Sequence, residues 1–139
     1  MQLQRCYHHR VALRFFPGPG MILICDFSGY VLPEIVKTRR VVVVSPKRLF
    51  QSLWDVTVIV VPLSEIEPRP LNAWHHAIPG GRYRGVGTCW AKGDMVAHVS
   101  LARLNRIFYA RDWIVPIVRD DDLRAIRQAA AAAIGRGLT

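Results

Sequence analysis

Short apolar runs separated by glycine and proline occupy most of the chain before residue 119. Runs rich in β-branched residues and bounded by turn residues are typical of β-strands. They predict strands at 21–27, 40–45, 56–61, 74–78, 88–92 and 95–100, and weaker ones at 107–109 and 113–118. The valine run 41–44 contains no polar residue, which predicts a strand that is buried on both faces.

The end of the chain has a helical pattern instead. Asp120, Asp121 and Asp122 precede an alanine run, and Gly135 follows it. Acidic residues favour the N-terminal end of a helix, alanine has the highest helix propensity, and glycine often follows the last turn. We therefore predict a helix over 120–134.

Together these elements predict a mainly β fold with α (α+β), a small β-barrel capped by a C-terminal helix. We expect one domain over residues 1–139, with a basic lead-in at 1–19, the barrel at 20–118 and the helix at 120–134.

Charge adds a prediction about the partner. The chain has 19 Lys and Arg against 10 Asp and Glu, a formal net charge of +9, and most of the cations are arginine. Because arginine pairs with phosphate through two hydrogen bonds and stacks on bases, nucleic acid is the first candidate partner and an acidic protein the second. A basic surface without a specific partner is the alternative.

Cysteine, histidine and hydropathy patterns argue against several other classes. The three cysteines lie far apart, which argues against a disulfide framework and favours a reducing compartment. The histidine pairs at 8–9 and 75–76 have no partner at metal-ligand spacing, so we expect no metal and no other cofactor. The apolar runs are far shorter than a membrane span, so we expect a cytoplasmic protein that does not enter a membrane.

Two regions carry side chains suited to phosphate chemistry. Glu34 and Arg39, on the loop that leads into the valine strand, are a candidate general base and phosphate clamp. A surface ion pair is the alternative. Ser64, at the end of the third strand, can orient a phosphate oxygen or form a turn.

The strand at 88–92 is the third candidate region. Side chains alternate along a strand, so Thr88, Trp90 and Lys92 share one face. Asp94 joins them only if the pleat continues past Gly93. Lysine and aspartate at this position form either an acid and base pair or a structural ion pair.

Several other residues are expected to contact a nucleic acid or the core. Arg82, Tyr83 and Arg84 are candidates for contacts with single-stranded RNA. His98 is a further candidate, with a structural role in its strand as the alternative. The tryptophans are expected in the core or in an interface, given the apolar area that each buries: Trp54, Trp74, Trp90 and Trp113.

The first half of the pattern resembles the PemK/MazF toxins of bacterial toxin–antitoxin pairs. That family has a first strand of the form Gly-x-Ile-x-x-x-x-Phe, a loop with glutamate, and a strand Arg-Pro-Val-Val-Val-Val-Ser. This chain has Gly20 to Phe27, then Glu34, then Arg39 and Arg40 followed by Val-Val-Val-Val-Ser-Pro. Arg40 stands where the family usually has proline.

The second half of the resemblance concerns the later strands, and the whole covers about residues 20–134. Ser64 stands where the family has a hydroxyl residue, usually threonine, after a Val-x-Pro-Leu-like run. Thr88, Lys92 and Asp94 match the family's threonine, basic residue and acid, although several members have arginine where this chain has Lys92.

The resemblance implies an SH3-like barrel of the CcdB/MazF type that cleaves single-stranded RNA without a metal, by attack of a ribose 2′-hydroxyl on its own phosphate. In that reaction either Glu34 or Asp94 is the base, Arg39 is the phosphate clamp and a candidate acid, and Lys92 supports the developing charge. The residues expected to bind the substrate are Ser64, Thr88, Arg40, Arg82, Arg84 and His98.

The family also implies a homodimer and an acidic antitoxin that covers the RNA groove. The alternatives are a toxin of the same fold that binds a protein target, as CcdB-like toxins bind gyrase, and a regulatory module that binds RNA or protein without cleaving it.

Overall fold

The computed structural model describes residues 13–35, 37–47 and 56–135. Most of the predicted lead-in (1–12), the stretch 48–55 and Trp54 lie outside the described residues. The strands are β1 (Ile22–Asp26), β2 (Thr38–Val43), β3 (Thr57–Ser64), β4 (His75–Ile78), β5 (Cys89–Lys92), β6 (Ala97–Ser100), β7 (Leu104–Asn105), β8 (Ile107–Tyr109) and β9 (Asp112–Ile114). The helix α1 is Asp120–Ile134, and 3-10 turns occupy Gly93–Met95 and Leu101–Arg103.

All strand pairs are antiparallel, and they form one large sheet and one hairpin. The sheet has the order β4-β5-β3-β2-β1-β7, with β6 also paired to β3, and the hairpin is β8-β9. Because β6 continues through the turn Leu101–Arg103 into β7, which pairs with β1, the sheet curls round on itself. No ladder within the described ranges joins β6 to β7, so the structure shows a curled sheet and no closed barrel in these ranges, and the predicted α+β class is confirmed.

The central strands are buried on both faces, as their unbroken apolar runs predict. One face forms a core with the helix, through Ile22, Val42 and Ile126. The other face forms a second core, which includes Leu23 and Val43 and is covered by residues of β6 and β7. The curled sheet therefore separates two apolar layers and fixes which way each side chain of β2, β3 and β5 points.

Two strand boundaries next to proline differ from the prediction. β3 continues through Pro62 to Ser64. On the edge of β3 that faces β5 and β6, Pro62 lies between the residues paired with β6 (Thr57–Val60) and those paired with β5 (Leu63–Ser64), so neither strand is bonded to it. A residue without an N–H group is tolerated at such a gap. The last strand ends at Ile114 rather than at 118, because Pro116 interrupts it.

Trp113 does not lie in the core, since its side chain is 49% exposed on the β8-β9 hairpin. Trp74 and Trp90 are half-buried. Within the described part of the chain, no helix is long and apolar enough to cross a membrane.

Candidate functional site

The ends of β2, β3 and β5 place three predicted side chains on one face of the sheet. Val41 pairs with Pro62, and Ser64 pairs with Trp90. Continuing the β2-β3 register by two residues sets Arg39 opposite Ser64. Antiparallel partners project to the same face, so Arg39, Ser64 and Trp90 are neighbours there.

A cleft of about 240 Å³, here the loop cleft, opens on this face. The loop between β1 and β2 forms one wall, and the strand ends form the other. Its polar and charged lining, with one methionine, consists of Glu34, Lys37, Arg39, Ser64, Lys92 and Met95. Four of the residues singled out in the sequence therefore share one cleft. Lys37, which is also a cation at this wall, was not among them.

A second cleft of about 300 Å³, the strand cleft, adjoins the first and shares Arg39, Leu63 and Ser64 with it. Arg40 lines the strand cleft and, by strand alternation, projects to the face opposite Arg39. Its Nη1 donates a hydrogen bond to the backbone oxygen of Gly85. Both arginines therefore line the strand cleft, whereas Arg39 also lines the loop cleft.

The loop cleft holds two cations, Arg39 and Lys92, that form no ion pair with an acidic side chain in the described part of the chain. None of the ion pairs among residues 13–35, 37–47 and 56–135 involves Arg39 or Lys92. Glu34 is exposed, and its Oε1 accepts a hydrogen bond of 2.7 Å from the backbone N–H of Val31. The carboxylate is therefore held by its own loop and leaves the two cations available to an anion.

The loop itself is anchored by an arginine from the second 3-10 turn. Arg103 Nη1 donates to the backbone oxygens of Asp26 at 2.8 Å and Ser28 at 2.7 Å. Its guanidinium also lies 5.2 Å from the centre of the Tyr30 ring. These contacts fix the start of the loop that carries Glu34.

Asp94 lies outside the lining of both clefts. The pleat does not continue past Gly93, because β5 ends at Lys92 and a 3-10 turn follows, in which Asp94 is exposed. The helix packs closely on this turn, since a Cβ on Gly93 would lie 2.5 Å from the backbone carbon of Ala129. The option of Asp94 joining Lys92 through the pleat is therefore wrong.

The other predicted contact residues also lie outside the lining of these clefts. Thr88 Oγ1 accepts a hydrogen bond of 3.1 Å from the backbone of Gly80, and Arg84 pairs with Asp112 at 3.2 Å. His98 is exposed on β6. Their roles in substrate binding stay predictions.

A second group of charges surrounds Asp122, the third residue of α1, and we call it the Asp122 cluster. The carboxylate is buried and accepts hydrogen bonds from His76 Nε2 at 2.9 Å, from Arg82 Nη1 at 3.1 Å and from the Tyr83 hydroxyl. The Tyr83 oxygen in turn accepts from the backbone N–H of Arg119 at 2.8 Å. Tyr83 is buried, so the expectation that it contacts RNA is wrong.

Burial alone would raise the pKa of the Asp122 carboxyl, but hydrogen bonds from Tyr83, His76 and Arg82, with the Arg82 charge, hold that pKa below its usual value. The charged form of Asp122 is therefore the form that this cluster stabilises. We infer that the cluster joins α1 to β4 and to the segment that follows β4.

Sequence reasoning missed this cluster, although a signal was present. Asp122 has the helical spacing of Ile126, Ala129 and Ala130, the buried residues of α1. A carboxylate on the apolar stripe of a helix requires buried hydrogen-bond partners.

Cys89 lines the strand cleft but is no nucleophile near neutral pH. Burial raises the pKa of its thiol to about 11, so the thiol remains protonated. Among the described residues, no group of three or more His, Cys, Asp or Glu side chains is arranged to hold a metal ion.

Comparisons with known proteins bear on the family and the fold of this chain. A family model described as "PemK-like, MazF-like toxin of type II toxin-antitoxin system" matches residues 19–134. The protein YifN of Escherichia coli (strain K12) is 27% identical to this chain, and the match covers 89% of this chain and 95% of that protein.

Two solved structures share the fold. One is an endoribonuclease in complex with its cognate antitoxin and the other an endoribonuclease, both from mycobacterial species. Each has a TM-score of 0.59 and 18% sequence identity, and each match covers 86% of this chain. The matches cover 96% and 91% of those chains, respectively.

Proposed function

Because the chain belongs to the PemK-like, MazF-like toxins of type II toxin–antitoxin systems, we propose that it is an endoribonuclease that cleaves single-stranded RNA in the loop cleft. The observation that carries this proposal is the grouping of Glu34, Arg39, Ser64 and Lys92 around one cleft, with the two cations free of acidic partners among the described residues. A phosphodiester is an anion that fits this charge.

The reaction needs a base, a stabilising cation and an acid. Glu34 removes the proton from the ribose 2′-hydroxyl, whose oxygen attacks the adjacent phosphorus. Arg39 stabilises the charge that grows on the non-bridging oxygens, and Ser64 orients one of them. The bond to the leaving 5′-oxygen breaks, which yields a 2′,3′-cyclic phosphate and a 5′-hydroxyl. The protein's own side chains supply each role, so this mechanism requires no metal.

The lining of the loop cleft favours Glu34 over Asp94 as the base, because Glu34 belongs to that lining and Asp94 does not. Lys92 is the better proton donor to the leaving oxygen, since an ammonium group can lose a proton whereas a guanidinium in a protein does not. Arg39 then serves as the clamp alone.

Cleavage of a long single-stranded RNA in EDTA tests the proposal. We expect cleavage by the wild type, products with cyclic phosphate ends, and no cleavage of DNA of the same sequence, which lacks the nucleophile. Arg39→Ala should lower the rate about 100- to 1000-fold by removing charge stabilisation in the transition state. Arg124→Ala is the matched control, since Arg124 is an exposed arginine on α1 that lines neither cleft.

Intact RNA with the wild-type protein would contradict the nuclease and favour a toxin that binds a protein target or a module that does not cleave. Full activity in both Arg39→Ala and Glu34→Gln would mean that the protein cleaves RNA at a site other than the loop cleft.

We further propose that an acidic antitoxin covers the same cleft and that the protein forms a homodimer. The formal charge of +9 supports an acidic partner, and so do Arg39 and Lys92, which form no ion pair within the described ranges. One of the similar structures is an endoribonuclease bound to its cognate antitoxin. An acidic segment bound at the loop cleft should inhibit cleavage in competition with RNA.

A further inference from the structure

The β8-β9 hairpin presents an aromatic surface that the rest of the described chain does not cover. Its buried face carries Ile107 and Ile114, which pair across the strands and belong to the core. Its outer face carries the cross-strand pair Phe108 and Trp113, whose ring centres lie 4.9 Å apart. The two side chains are 57% and 49% exposed.

Arginines lie on both faces of the hairpin. On the outer face, the Arg106 guanidinium lies 5.5 Å from the centre of the Trp113 ring. On the inner face, which Tyr109 shares with Ile107 by strand alternation, the Arg84 guanidinium lies 5.8 Å from the centre of the Tyr109 ring, and Tyr109 is 44% exposed. Arg111 adds a third cation at the hairpin turn, whereas Asp112 is the carboxylate there and pairs with Arg84. The surface is therefore aromatic and positively charged.

The hairpin adjoins the strand cleft through Gly85. A Cβ on Gly85 would lie 2.9 Å from Tyr109 Cγ and 3.0 Å from Ile114 Cδ1, so the hairpin packs directly on this segment. The Gly85 backbone oxygen accepts the Arg40 hydrogen bond, and Gly87 lines the strand cleft with Arg40. The segment 85–87 therefore connects Arg40, at the strand cleft, with the hairpin.

We propose that the β8-β9 hairpin binds unpaired bases of the RNA that lie beyond the cleaved phosphodiester, by stacking on Trp113 and Phe108. This proposal rests on the proposed ribonuclease function and extends its substrate site. Aromatic rings flanked by arginine suit single-stranded RNA, because the rings stack on bases while the guanidinium groups pair with the neighbouring phosphates. A second copy of this chain fits this particular surface less well, because a two-fold contact here would set Arg106 and Arg111 against the same arginines of the other copy.

Binding to an oligonucleotide that cannot be cleaved tests the proposal without relying on catalysis. The probe is a fluorescent single-stranded 2′-O-methyl RNA of about 12 nucleotides, which lacks the attacking hydroxyl, and the readout is anisotropy. Trp113→Ala should raise the Kd about tenfold, the loss of one base stack. Trp113→Phe, which keeps a ring, should recover most of the affinity, and Phe108→Ala gives an independent second variant.

Ile134→Ala is the control, because Ile134 is an exposed apolar side chain at the end of α1, 78% exposed. It should leave the Kd unchanged. Double-stranded 2′-O-methyl RNA has no unpaired bases, so its weaker binding should not change with Trp113→Ala. The Kd of Trp113→Ala should stay about tenfold above that of the wild type as the salt concentration is raised, because stacking is less sensitive to salt than phosphate pairing.

An unchanged Kd in both Trp113→Ala and Phe108→Ala would overturn the proposal. An equal loss of affinity for single-stranded and double-stranded RNA would overturn it too. A change in subunit number by light scattering on Trp113→Ala, with the Kd per protomer unaltered, would assign the surface to a second copy instead. If the wild type cleaves RNA and the hairpin variants bind the probe as the wild type does, the hairpin proposal is rejected and the ribonuclease proposal is not. If the hairpin variants weaken binding but the wild type does not cleave RNA, the ribonuclease proposal is rejected and the hairpin proposal is not.

Discussion

The loop cleft and the Asp122 cluster each combine arginine with carboxylate, yet the arginine and the carboxylate are bonded to each other only in the Asp122 cluster. Asp122 is buried and bonded to His76, Arg82 and Tyr83. In the loop cleft, Arg39 is exposed and Glu34 bonds to its own loop. A charge that already has its partners in the folded protein stabilises the fold, whereas an unneutralised one remains available to a ligand.

The difference lies in the elements that carry the charges. Asp122 projects from the apolar stripe of a helix into a core, where an unpaired carboxylate would be costly. Arg39 and Lys92 stand at strand ends, where the sheet stops and the side chains reach solvent. We expect substitutions in the first region to change stability and those in the second to change activity. Three predictions test that division.

The largest expected effect on stability is at Asp122. Asp122→Asn removes the charge that His76, Arg82 and Tyr83 surround, so the free energy of unfolding in urea should fall by about 3 kcal/mol. Asp120→Asn is the control, as an exposed aspartate in the same helical turn. Cleavage per folded molecule should stay near the wild-type rate. A stable Asp122→Asn protein with little activity would reverse the assignment of the two regions.

An intermediate effect is expected at Gly93, which connects the two regions. A Cβ at this position would lie 2.5 Å from the backbone carbon of Ala129 and 2.6 Å from the backbone nitrogen of Ala130. Backbone atoms cannot move aside as the end of a flexible side chain can. Gly93→Ala should cost about 2 kcal/mol of unfolding free energy through overpacking, and it should also reduce cleavage because Lys92 is displaced. Gly87→Ala is the matched control, since no heavy atom lies within 4 Å of its Cβ position. Equal stabilities of the two variants would show that the helix does not fix this turn.

The smallest expected effect is a dependence on pH. The Asp122 carboxyl has a lowered pKa in the folded state, so its contribution to stability is fully present above the unfolded value of about 3.9 and is lost as pH falls through the folded value. The difference in unfolding free energy between the wild type and Asp122→Asn should therefore be large at pH 6 and shrink below about pH 4. A constant difference over that range would mean that the charge of Asp122 does not stabilise the fold.

Much of the architecture follows from local sequence signals. The valine run, the β-branched segments and the aspartate–alanine–glycine pattern predict β2, β3 and α1, and the boundaries of α1 agree at both ends. How the sheet curls was not predictable from these signals, because it depends on the pairing of β6 with β3 and of β7 with β1, which are contacts between distant segments.

For the candidate site, the residue types and their order are readable from the chain alone: a loop glutamate, an arginine beside the valine strand, a hydroxyl at a strand end, and a lysine in a later strand. Which of these residues meet depends on how the chain folds. The register of β2 on β3 sets Arg39 opposite Ser64, and the approach of α1 to Gly93 ends the strand before Asp94. Registers and close backbone contacts arise from packing between distant segments, and local sequence patterns do not encode them.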